Sequence, residues 1–273
     1  MLSLSAQKVI HDYLNLPFPG QSGVRCPYFN NARARQRAQL RVLVGKGLPQ
    51  EIVEEAQIIS FQYHAGLFDK TGHYSSSNAA SDQTTAAQNI RKFLVDNNLG
   101  IECSGFVTQV LKTHYLETAE IDLTKKLFIT SPKNFLRWLI ARFRPIENIG
   151  VKTYADNRNT ISLAGADGGY DYQKIAAGDL IVILETGPQK KHNHIILITG
   201  NDGQTLTYVH ARAWTSEGKY GHGVTIGIIK ITHPDQNLLA QEWAEKNQTG
   251  LENETYLEAK NAAVLEIRRI KIS

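Results

Sequence analysis

Apolar positions in the first third of the chain recur at helical spacing. In "SAQKVIHDYLNL" they fall at Val9, Ile10, Tyr13 and Leu14. "LPQEIVEEAQIISFQYHAG" has Pro49 at its start, acidic residues in its first turns and apolar residues at Ile52, Val53, Ala56, Ile59 and Phe61. That is an amphipathic helix with a start signal. The polar, turn-rich "HYSSSNAASDQTTAAQ" then predicts a loop and a boundary. Beyond it, "CSGFVTQVL" predicts a helix starting near Ser104, with Phe106, Val107, Val110 and Leu111 as its apolar stripe. "SPKNFLRWLIARF" predicts another, with Ser131 as N-cap and Pro132 in the first turn. "YADNRNTISLAGADGGYDYQ" is turn-prone.

From there the pattern changes to β. "DLIVILE", "HIILIT", "LTYVHARA", "VTIGIIKIT" and "AVLEIRRIKI" predict strands, with only "DQNLLAQEWAEKN" interrupting as a helix. Helices first and neighbouring strands afterwards predict an α+β fold with an antiparallel sheet. The expected organisation is a helical N-terminal region over 1–90 followed by a second region over 91–273.

Composition changes this picture little. The 273 residues are 42% hydrophobic and 21% charged, enough to bury a sizeable core. A net charge of +4 is too small to indicate a nucleic-acid binder. The N-terminus lacks a basic segment followed by an apolar core, and no apolar run approaches the roughly 20 residues that span a bilayer. A cytoplasmic protein without a transmembrane segment is the default expectation, with export by another route left open. Arg33, Arg37 and Arg41 share one face of a possible helix, either as a solvated face or as a contact for an anionic polymer. "VLVGKGLPQE" lacks the earlier glycine and the final Ser or Thr of a phosphate loop.

The chemistry centres on Cys103. A helix N-terminus favours a thiolate, because unpaired N–H groups and the helix dipole attract negative charge. The bland reading is a buried small hydrophobe. Two histidines downstream weigh against it. "HNHIILITGNDGQTLTYVHARA" predicts a hairpin whose three-residue turn, Asn201-Asp202-Gly203, has its glycine in the left-handed conformation. In that register His194 lies directly opposite His210; a two-residue turn instead puts them on opposite faces. Together they suit general acid/base work, one ring moving the proton and the other orienting it.

"ECSGFV" resembles the Asp-Cys-Ser-Gly-Phe/Leu-Val signature of the NlpC/P60 cysteine peptidases, a papain-like group that cuts bacterial cell-wall peptides. "AAGDLIVI" is similar to that family's Gly-Asp-Leu, at Gly178, Asp179 and Leu180. "HIILITG" is similar to its His-Val-Gly-Ile-Tyr-x-Gly strand, and "YVHARA" to the strand carrying the third catalytic residue. The resemblance covers roughly residues 95–230 and implies a catalytic domain over 91–273 with an insertion near 115–172. It implies a papain-like core with an antiparallel sheet packed on the nucleophile helix. It also implies Cys103 as nucleophile, His194 as general acid/base, His210 as orienting residue, a small peptide or muropeptide as substrate and no cofactor. Glu102 replaces the usual Asp and Ile196 a usual small residue. Glu102 and Ser104 are expected beside the substrate, and Tyr63 stands for the family's site tyrosine. The backbone N–H of Cys103 is the expected oxyanion donor.

Two alternatives accompany this reading. Papain-like folds also host amidases and acyltransferases. A cupin-like metal site would use His192 and His194, but Ile198 and Thr199 stand where that pattern wants a Glu, and His222 completes the set only if "SEGKYGHG" folds back. Cys26 has no histidine near it in sequence and is expected to be structural.

Overall fold

A computed structural model describes residues 1–29, 40–75, 83–129, 143–165 and 169–272. The predicted helix "SPKNFLRWLIARF", Arg33, Arg37 and the centre of the polar loop lie outside them or almost wholly so. The fold is α+β with an antiparallel sheet. Among the described residues, no helix is long and apolar enough to cross a membrane. The chain divides into two compact units. One comprises residues 4–113 and 211–224; the other comprises 1–3, 114–210 and 225–273.

The first unit is mainly helical, with helices Leu4–Leu14, Pro49–Gln62 and Gln83–Asp96 and the start of Cys103–Ala119. Pro49 sits at the first turn of its helix, and Glu51 accepts the Leu48 N–H at 2.9 Å, satisfying a donor that the helix start leaves over. Arg41 pairs with Glu51 at 2.8 Å, so one of the three arginines weighed for an anionic partner is engaged within the unit. In the helix that begins at Cys103, Phe106, Val107, Val110 and Leu111 are all fully buried, as the apolar stripe predicts.

The second unit is built on the sheet. Its strands are β1 (Thr160–Ser162), β2 (Leu180–Thr186), β3 (His192–Asn201), β4 (Thr205–Arg212), β5 (Gly223–Lys230), β6 (Glu242–Glu245), β7 (Gln248–Thr249) and β8 (Val264–Ile270). Their spatial order is β1-β8-β2-β3-β4-β5-β6-β7. Ile181, Ile183, Ile196, Ile198, Tyr208, Ile229, Trp243 and Ile267 form one apolar cluster on it. Gly178 takes φ +100° ahead of β2, and Asp179 receives two 2.7 Å hydrogen bonds from Arg269 of β8. The Gly-Asp-Leu motif thus anchors the start of β2 to its neighbour.

Two sequence expectations are corrected here. "DQNLLAQEWAEKN" is not a helix: a short 3-10 turn, Leu238–Ala240, leads into β6, and a two-residue turn returns the chain as β7. Lys246 and Asn247 both have positive φ (50° and 62°), the backbone twist that a tight hairpin needs. The β3–β4 register also differs from the expected one. The pair nearest the turn is Asn201 with Leu206. Gly203 does take the left-handed conformation, at φ +88°, and Asp202 Oδ1 caps the turn by accepting the N–H groups of Gln204 and Thr205.

Candidate active site

The β3–β4 register decides which way the histidines point. Continued unbroken from the turn, it would pair His210 with Leu197 and put the two rings on opposite faces. A bulge at Thr199 prevents this: Gly200 pairs with Thr207, but Ile198 pairs with Tyr208 and Leu197 with Val209. The one-residue shift returns His194 and His210 to one face. They are diagonal neighbours rather than directly opposed, a separation that ring side chains bridge. His194 Nε2 lies 2.7 Å from His210 Nδ1, and the rings meet edge-on with centroids 4.9 Å apart.

The chain of contacts continues. His210 Nε2 is 3.0 Å from Oε2 of Glu245, the last residue of β6. The same oxygen accepts the Tyr208 hydroxyl at 3.1 Å and the Thr255 hydroxyl at 3.3 Å. His194, His210 and Glu245 are all buried. A carboxylate removed from water needs such donors, because desolvation otherwise costs more than one partner returns. The sequence gives no cue to Glu245, because the spacing of its segment is helical; in the fold, buried Trp243 and Glu245 alternate with half-exposed Glu242 and Ala244.

In the other unit, Cys103 begins its helix. The N–H groups of residues 103–105 precede the first intrahelical bond, from Phe106 N–H to the Glu102 carbonyl at 2.9 Å. Backbone contacts hold the approach on both sides. Ile101 bonds the 27–29 segment, donating to the Pro27 carbonyl and accepting from Phe29 N–H, each at 3.0 Å; Glu102 N–H donates to the Gly45 carbonyl at 3.0 Å. Glycine is required where these segments touch. A Cβ on Gly105 would come within 2.1 Å of the Gly45 oxygen, and one on Gly100 within 2.4 Å of the Pro27 oxygen. The glycine of "CSG" therefore lets the Cys103 helix press against the "GKG" segment. Tyr13 completes the support, donating its hydroxyl to the Gly47 carbonyl at 2.8 Å and packing edge-on against Phe106.

Lys46, the centre of "GKG", is a buried cation. It forms an ion pair with Glu102 and donates to Ser104 Oγ at 2.6 Å; Ser104 in turn donates to Glu102 Oε1 at 2.5 Å. Gln109 Nε2 bonds the Lys46 carbonyl at 2.5 Å. Glu102 and Ser104, expected to touch substrate, are thus engaged by Lys46. Tyr63 stands at the C-terminal end of the Pro49–Gln62 helix with its side chain exposed. Compared with family models, curated proteins and solved structures, the chain matches none.

The remaining candidates behave differently. Cys26 is fully buried, and burial pushes its thiol well above the ordinary range; Arg91 and Arg25 offset this only in part. Its Sγ lies 3.6 Å from the Pro27 carbonyl oxygen. Neither cysteine is in a disulfide. Among the described residues, no three His, Cys, Asp or Glu side chains converge as metal ligands. His192 is exposed, and burial, with Arg91 and Arg25 nearby, lowers the pKa of His222.

Proposed function

We propose that the chain is a thiol-dependent amide hydrolase of the NlpC/P60 kind, with a papain-like core and with muropeptides or related cell-wall peptides as substrates. Cys103 is the nucleophile, His194 the general acid/base and His210 the residue that orients it. The observation that carries this reading is the buried His194–His210 pair, hydrogen-bonded at 2.7 Å, in a chain whose Ser-Gly-flanked cysteine opens a helix. The order of the four motifs along the sequence adds to it.

The chemistry then proceeds by covalent catalysis. The Cys103 thiol gives its proton to His194, and the thiolate attacks the amide carbon to form a C–S bond. The charge that develops on the carbonyl oxygen falls to backbone N–H groups at the helix start, Cys103 N–H first. Collapse breaks the C–N bond, and the His194 imidazolium protonates the departing amine. Water, deprotonated by His194, attacks the thioester, and the acid leaves as Cys103 regains its proton. Tyr63, with its exposed ring, is the substrate contact proposed outside this machinery.

Incubation with defined muropeptides, followed by mass measurement of the products, tests the reading. The full chain should release a shortened peptide, and Cys103→Ala should release none. Cleavage that persists in Cys103→Ala would overturn the nucleophile assignment.

A further inference from the structure

We propose that Glu245 is a positioning residue that fixes the tautomers of both histidines and so makes Nδ1 of His194 its basic nitrogen. The catalytic consequence rests on the acyl-transfer reading above. The tautomer assignment rests only on geometry within one compact unit.

An ionised carboxylate can only accept hydrogen bonds. With His210 Nε2 at 3.0 Å from Glu245 Oε2, the proton of a neutral His210 must sit on Nε2. Its Nδ1 is then an acceptor. The only proton that can fill the 2.7 Å gap to His194 Nε2 comes from His194 itself. A neutral His194 is therefore protonated at Nε2 and basic at Nδ1. When it takes up a proton at Nδ1, the Nε2–H bond to His210 stays as it was. Neither ring has to turn or exchange a proton as His194 cycles between base and acid. The positive charge formed on His194 is linked through His210 to a buried negative one.

The surroundings are arranged to keep Glu245 in this role. Gly227 of β5 is its registered partner on the neighbouring strand. A Cβ on Gly227 would lie 2.2 Å from the Tyr208 ring, so the missing side chain is what lets the Tyr208 phenol cross to the carboxylate. That phenol also packs edge-on against His210, at 5.4 Å between centroids. Thr255 donates from the Glu254–Lys260 helix. Glu258, on the same helix, accepts the Thr186 hydroxyl at 3.2 Å instead. Glu245 Oε2 thus collects three donors from two strand residues and one helix residue, which compensates its desolvation.

Nitrogen-15 imidazole spectra of the full chain at pH 8 read the claim directly. Wild type should show His194 and His210 each protonated at Nε2 only. Glu245→Gln keeps an acceptor and the side-chain shape but removes the charge, so protonation of the pair should move about one pH unit lower. Glu245→Met removes the acceptor as well, and His210 should then populate the Nδ1–H form; amide spectra confirm that each variant is folded. Wild-type His210 protonated at Nδ1, or an unmoved titration in folded Glu245→Gln, would overturn the proposal. Kinetics separate it from the reading it rests on. Under both, Glu245→Gln loses about tenfold in kcat with little change in KM. If wild type hydrolyses no peptide but the spectra come out as described, the functional reading fails and the positioning role of Glu245 stands.

Discussion

The two cysteines lie in the same compact unit, and their surroundings differ in kind. Cys26 lies within an extended segment whose backbone is spent on structure: its N–H donates to Tyr13 at 2.8 Å and its carbonyl accepts Val224 N–H at 3.0 Å. Its thiol is sealed from water, and burial disfavours the thiolate. Cys103 is almost as buried, but it opens a 17-residue helix, so burial is combined with the positive end of a helix dipole. Depth alone does not separate a reactive thiol from an inert one. The two residues that flank Cys103 in sequence, Glu102 and Ser104, are bonded to each other and to Lys46.

The largest expected effect follows from that contrast. At pH 7, iodoacetamide should alkylate Cys103 about 100-fold faster than Cys26 in the folded chain, read by peptide mass mapping over time. Equal rates would erase the distinction.

A smaller change should make Cys103 behave more like Cys26. Lys46→Met removes the cation paired with the carboxylate of Glu102, the residue before Cys103. Alkylation of Cys103 should slow about tenfold, and unfolding in urea should show a loss of about 2–3 kcal/mol, because one partner of a largely buried pair has been removed. An unchanged rate with a lowered stability would confine Lys46 to a structural role.

The same contrast between solvated and unsolvated burial recurs in two carboxylates. Glu245 has three donors; Glu258 has the Thr186 hydroxyl, and burial raises its pKa from 4.5 to about 7. A carboxyl whose folded pKa is raised binds protons more tightly when folded. Its contribution to stability is full below the unfolded pKa and is lost as pH rises through about 7. Wild type should therefore lose about 1–2 kcal/mol between pH 4.5 and 8 from this partly buried group, and Glu258→Gln should remove that slope. Denaturant midpoints at the two pH values check it.

The smallest effect is Cys26→Ala. Deleting one buried sulfur should cost about 1 kcal/mol and leave labelling of Cys103 untouched.

Much of the fold was legible because its patterns are strict. The five predicted strands are present, and Phe106, Val107, Val110 and Leu111 are buried in the Cys103–Ala119 helix. The shared face of His194 and His210 was also expected, but by a register the structure does not use. The turn is displaced and the bulge at Thr199 compensates; its one cue in "HIILITGNDG" is Gly200, a glycine inside the strand, which does not fix the register. Glu245 was out of reach for a related reason. "LLAQEWAE" spaces its apolar residues as a helix would, and the hairpin turn places Lys246 in the left-handed region, where a lysine gives no cue. Lys46 was visible only as a lysine between two glycines. Its partner Glu102 is distant in sequence, and pairings of that kind depend on the packed chain.

The central claim is that Cys103 and His194 act as one nucleophile and base. An electrophilic acyl probe, with the adduct located by peptide mass mapping, tests it most directly. The account predicts a single adduct on Cys103 in wild type, formed at least about 100-fold more slowly in His194→Ala and absent in Cys103→Ala. Labelling of Cys103 at the same rate with and without His194 would contradict it.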